Sequence, residues 1–154
     1  MKERWLPVAV LAGVLFGVNV VARFIVWLVA SSNTGRQTAI GLIAAGAIGA
    51  VMIVAGYLWA RRAATPRVVG ELTLALLAGC LFSVIIGPFA GGSAPFKEGG
   101  TFFVAEVWHY LALGAGGALF GMLVAMTLGH DLKSQGWKRF AEAQRARPRR
   151  VVRR

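Results

Sequence analysis

A chain of 154 residues that is 57% hydrophobic, with a mean hydropathy of +0.66, is too apolar for an ordinary water-soluble domain. Its apolar residues fall in long unbroken blocks, which excludes the alternating pattern of a soluble sheet and the narrow stripe of a soluble surface helix. The net charge of +11 is unevenly placed, since nine of the seventeen Lys and Arg lie after residue 130, against the two acids Asp131 and Glu142.

Residues 1–6 are short and charged, and residues 7–30 form a first apolar run with Pro7 suited to the first turn of a helix. A secretory signal peptide is the competing reading of a basic start and an apolar core. The run exceeds a signal core in length, no A-x-A site follows it and Arg23 interrupts it, so a retained helix is expected. Residues 31–37, SSNTGRQ, read as a polar turn. The second run, 38–60, is built from Ala, Gly, Ile and Val and ends in Tyr57 and Trp59 before Arg61 and Arg62, the pattern of a headgroup boundary. After a connection with Pro66, the third run covers 68–88 and contains Glu71, Cys80 and Ser83. Residues 89–101, FAGGSAPFKEGGT, carry four glycines and a proline and are expected to lack regular structure, as a flexible or folded-back loop. The fourth run, 102–129, exceeds the about 20 residues a span requires and carries Glu106 and His109 near its start.

The expected fold is therefore all-α: a bundle of four transmembrane helices in residues 1–130, with both termini cytoplasmic, followed by a basic tail, 131–154. Orientation follows from the positive residues flanking the spans, which divide fourteen to two in favour of the side carrying both termini. Trp5 and Trp59 fall at the inner boundary, and Trp27, Trp108 and Tyr110 toward the outer one. Arg outnumbers Lys thirteen to four in an Ala-, Gly- and Val-rich background, a compositional hint of a bacterial source, and hence of the bacterial cytoplasmic membrane.

Within lipid, close approach through small residues takes over from the hydrophobic effect. Gly13 with Gly17 and Gly117 with Gly121 form two GxxxG motifs, and Ala45, Gly46, Gly49 and Gly56 smooth the second span. These faces serve either packing inside the bundle or contact with another subunit.

The polar residues inside the spans are the candidate site. Arg23 lies seven residues before the end of the first run, roughly 10 Å deep, Glu106 and His109 enter from the same side on one helix face, and Asn19 is one turn below Arg23. A clasp of Arg23 with Glu106, assisted by His109 and Asn19, would make the first and fourth spans neighbours. The alternative is that Arg23 snorkels to the headgroups while Glu106 sits at the positive end of its helix. Glu71, near Arg61, Arg62 and Arg67, reads as a local ion pair, or else as a coupling carboxylate of a proton-linked transporter.

A single cysteine, two histidines and scattered carboxylates supply neither a disulfide nor a metal shell, and His109 and His130 stand at opposite ends of one run, so no cofactor is expected. No nucleophile, P-loop or nucleotide fingerprint accompanies Glu106 and His109, so no enzyme is expected either. In the tail, Trp137 and Phe140 stand three apart among basic residues. The region 131–146 is expected as a helix on the membrane surface, with Lys138, Arg139, Arg145, Arg147, Arg149 and Arg150 meeting anionic headgroups or an acidic partner protein. Nucleic acid is not an expected partner, since charge alone is not a binding motif. From the sequence, a non-catalytic accessory or assembly subunit of a larger membrane complex is the preferred function, and a small homo-oligomeric transporter or lipid flippase the alternative.

Overall fold

The computed structural model describes residues 2–29, 34–90, 92 and 99–146, and is all-helical over them. In order come α1 (Lys2–Val29), α2 (Thr34–Ala60), α3 (Thr65–Ile85), the single turn α4 (Gly87–Ala90), α5 (Gly100–Thr127) and α6 (Leu132–Ala146). Four of these helices are long and apolar enough to cross a membrane, which makes the chain a multi-pass membrane protein.

Several boundaries differ from the sequence reading. Helix α1 begins at Lys2, which places Pro7 inside it rather than in its first turn. The amide that Pro7 lacks would have served only the carbonyl of Glu3, so near a helix end the loss is small. Helix α2 starts at Thr34, four residues ahead of the expected run, while residues 31–33 lie outside the described ones. Helix α3 starts at Thr65 because Pro66 is accepted in a first turn, where no amide is needed. It stops at Ile85 because the Pro88 ring opposes the carbonyl of Val84, and the chain re-enters helix only for the α4 turn. The expected loop 89–101 is thus helical at both margins, in α4 and in the first residues of α5. Its interior, residues 91 and 93–98, lies outside the described residues.

The four spans form two parallel pairs. In the α2/α5 pair, a Cβ added to Gly117 would stand 2.6 Å from the Gly49 carbonyl oxygen, and one added to Gly121 would stand 2.0 Å from that of Ile53. Gly56 likewise leaves room for the Ala118 carbonyl, at 2.4 Å from a built Cβ. Backbone therefore lies on backbone along this seam, which only glycine permits. The α1/α3 pair packs through side chains: Leu15 lies over Gly79, and the Phe16 and Phe82 rings are 6.0 Å apart. The pairs meet at a core of Leu15, Met52, Leu76 and Tyr110, all buried. Helices α1 and α5 stand diagonally across the bundle, with α2 and α3 between them. The expectation that they are packed neighbours is therefore corrected: a long side chain joins them, not a helix face.

Helix α5 ends in a Schellman cap. The amide of His130 bonds the Ala125 carbonyl at 2.8 Å and that of Gly129 bonds Met126 at 2.9 Å, with Gly129 at φ +63°. Asp131 then starts α6 by accepting the Ser134 amide at 3.2 Å. The side chain of Ser134 and the first-turn amides hold the Asp131 carboxyl below its ordinary pKa.

Candidate functional site

The end of the bundle away from the start of α1 and the end of α5 opens into a cavity of about 680 Å³ between α1, α2 and α5. It exists because α1 and α5 are diagonal and Gly41, Ala44 and Ala45 of α2 leave part of the gap between them unfilled. Gly41, Ala44 and Ala45 line one wall, Asn19, Arg23 and Trp27 a second, and Glu106, His109 and Leu113 a third.

Arg23 reaches across this space. Its Nη2 donates to Glu106 Oε1 in an ion pair, and its Nε donates to Asn19 Oδ1 at 2.8 Å, one turn below on α1. Both charged side chains are 26% exposed, so the pair is neither dry nor loose. Among the described residues, Arg23 Nη1 and Glu106 Oε2 carry no protein hydrogen bond. The position of Arg23 depends on a residue that the sequence reading did not single out. Gly87 lies against the guanidinium, and a Cβ there would stand 3.1 Å from both Arg23 Nε and Asn19 Oδ1. The Gly87–Pro88 step that ends α3 is the signal that marks it.

His109 belongs to the cavity but not to the ion pair. Its Nδ1 lies 2.6 Å from the Ala105 carbonyl one turn back, and a carbonyl can only accept, so Nδ1 carries a proton. Tyr110, expected with the outer aromatic belt, is instead buried in the core at 6% exposure, its hydroxyl close against Gly79. That hydroxyl and the one on Ser83 are buried near each other, and neither makes a well-formed hydrogen bond among the described residues.

At the opposite end, Glu71 of α3 accepts from Arg67 Nε at 2.6 Å and from Trp59 Nε1 of α2 at 2.8 Å. The first contact is the short-range ion pair on one helix turn, and the second ties the two helix pairs together. A second cavity of about 450 Å³ lies at this end, between the α2–α3 turn, the end of α5 and the start of α6. Tyr57 Oη and His130 Nδ1, 2.8 Å apart, join α2 to the α5–α6 junction.

In the tail, Lys138 donates to the Gly129 carbonyl at 3.0 Å and so completes the cap of α5. Arg139 and Arg145 are exposed, as are Trp137 and Phe140, whose rings meet edge to face at 6.4 Å. Arg147, Arg149 and Arg150 lie outside the described residues. Among the described residues, no three His, Cys, Asp or Glu side chains gather as a metal site.

The chain matches no family model, no curated protein and no solved structure.

Proposed function

We propose that this chain is a small, non-enzymatic transporter or lipid translocase of the bacterial cytoplasmic membrane, in which the α1/α3 pair rocks against the α2/α5 pair. The observation that carries this reading is the 680 Å³ cavity with an ion pair in its wall, set on the seam between the two pairs. Three features support the rocking. The glycine contacts make α2 and α5 one rigid body. Among the described residues, a polar tie joins the bodies at each end of the seam, Arg23 to Glu106 and Trp59 to Glu71. The buried Leu15, Met52, Leu76 and Tyr110 separate the two cavities, as a central barrier must. Binding at one end would loosen one tie and bias the bodies toward the other arrangement, so coupling requires only differential affinity between two states. The fourteen-to-two division of basic residues supports an outward-facing cavity and cytoplasmic termini.

The test is reconstitution into liposomes carrying acyl-chain-labelled fluorescent phosphatidylethanolamine, with dithionite added outside. Loss of inner-leaflet fluorescence faster than in protein-free liposomes is expected. In a Cys80→Ser background, bridging Trp59→Cys to Glu71→Cys across the seam with a short bis-maleimide should abolish a gain that the unbridged double variant retains. A rate equal to that of protein-free liposomes refutes the proposal.

The accessory-subunit reading retains one supporting observation. Cβ atoms built on Gly13 and Gly17 meet nothing within 4 Å, so this GxxxG motif of α1 makes no close helix contact among the described residues. Helix α6, with Trp137, Phe140, Arg139 and Arg145 exposed, would lie along anionic headgroups or an acidic partner beside it. Gentle detergent extraction separates the readings: a stoichiometric larger complex supports the accessory role, and a homo-oligomer of this chain supports transport.

A further inference from the structure

We propose that the ligand of the α1/α2/α5 cavity is a phospholipid with a phosphoethanolamine headgroup, its phosphate on Arg23, its ammonium on Glu106 and His109, and one acyl chain in a groove beside them. This rests on the transport reading of the same cavity.

The first argument is charge. The Arg23–Glu106 pair is neutral as a whole but bipolar, with guanidinium Nη1 and carboxylate Oε2 left without protein hydrogen bonds among the described residues. An anionic head satisfies Arg23 and is repelled by Glu106, and a cationic head does the reverse. A zwitterion meets both groups at once and leaves no charge uncompensated, with the planar guanidinium suited to phosphate oxygens.

The second argument is the kind of amine. His109 Nδ1–H is committed to the Ala105 carbonyl, and on a ring that carries only this one proton Nε2 is an acceptor. Glu106 Oε2 is also an acceptor, and Glu106 and His109 are one helical turn apart in the cavity lining. Two acceptors on one face suit an ammonium with N–H donors better than a quaternary amine, which has none.

The third argument is the neighbouring groove. On the seam of α1 and α2 lies an apolar hollow of about 320 Å³ lined by Gly17, Val21, Ile25, Ile43 and Ala47, without a polar side chain. It shares Ala22, Ile40 and Ala44 with the cavity, so a polar chamber and an apolar groove have one wall in common. A molecule filling both is polar at one end and a hydrocarbon chain at the other.

The test is native mass spectrometry of the full chain, delipidated in detergent and offered equimolar phosphatidylethanolamine, phosphatidylcholine, phosphatidylglycerol and diacylglycerol. Phosphatidylethanolamine should be retained at least about tenfold over the other three, and both Arg23→Gln and Glu106→Gln should remove that preference. Gly17→Leu alters a site with nothing within 4 Å of its Cβ, so the variant is expected to fold. It should weaken retention of the lipid while leaving competition by soluble glycerophosphoethanolamine unchanged. Equal retention of phosphatidylglycerol overturns the zwitterion, and equal retention of phosphatidylcholine overturns the ammonium, in each case leaving the cavity a ligand site. Soluble glycerophosphoethanolamine binding as tightly as the lipid overturns the role of the groove. A preference that survives both Gln variants places the lipid elsewhere and overturns the proposal. Retention of no lipid, together with unaccelerated dithionite quenching, removes the transport reading as well.

Discussion

Separating Arg23 from Glu106 should cost less in the double variant than the two single losses predict. Two unit charges about 4 Å apart attract by about 4 kcal/mol at an effective dielectric of about 20, and that is the gross interaction. Each side chain is 26% exposed, so water screens part of it and desolvation offsets more. A net coupling of about 1–2 kcal/mol remains. Glu106→Gln keeps an acceptor for Nη2 but leaves the guanidinium without a counter-charge, with only Asn19 beside it. Arg23→Gln leaves the carboxylate alone on the cavity wall. Each single change should lose about 2 kcal/mol, and the double variant clearly less than the sum. Arg23→Lys should recover only part of the loss, because an ammonium lacks the fork that serves Asn19 and Glu106 together. Reversible unfolding with SDS in mixed micelles, followed by circular dichroism, measures these terms. Losses that add to within about 0.5 kcal/mol would show that the two residues stand independently and that the tie across the seam has no energetic meaning.

Other perturbations read other parts of the structure. Gly121→Ala forces a methyl onto the Ile53 carbonyl and should lose about 1–3 kcal/mol, whereas Gly13→Ala, facing open space, should lose nothing; equal losses in the same unfolding assay would refute the α2/α5 seam. Tyr110→Phe removes a buried hydroxyl that makes no well-formed hydrogen bond among the described residues and should be neutral or stabilising by about 1 kcal/mol; a clear loss would reveal a bond between that oxygen and the nearby Ser83 hydroxyl. A water-soluble carbodiimide should modify Glu106 on the cavity wall faster than Glu71, which Arg67 and Trp59 hold, and mass spectrometry of the digest would show the reverse order if the cavity were closed to water. The Asp131 carboxyl has a lowered folded pKa, so its contribution to the α6 cap is complete above the ordinary Asp value of about 3.9 and disappears as pH falls through the lower folded value. The Ser134 amide resonance should follow that titration, and a midpoint at or above the ordinary value would contradict the cap.

The four spans were legible in the sequence because hydrocarbon imposes a length and an apolar composition that residues display one by one, whatever their neighbours in space. The level at which Arg23, Asn19, Glu106 and His109 enter the bundle was legible too, since depth follows from residue count and helical rise. Partnership was not. Gly13 with Gly17 and Gly117 with Gly121 are the same motif in sequence, yet α5 lays its pair on the α2 backbone while Cβ atoms built on the α1 pair meet nothing within 4 Å among the described residues. Which motif is used depends on which helices become neighbours, a property of the assembled bundle. Tyr110 and Trp108 stand two residues apart near the start of one span, and helical rotation alone sends the first into the core at 6% exposure and the second outward at 69%. The cavity is the most tertiary feature of all. It arises because α1 and α5 lie on a diagonal that no local pattern encodes, and because small residues of α2 leave the gap between them unfilled.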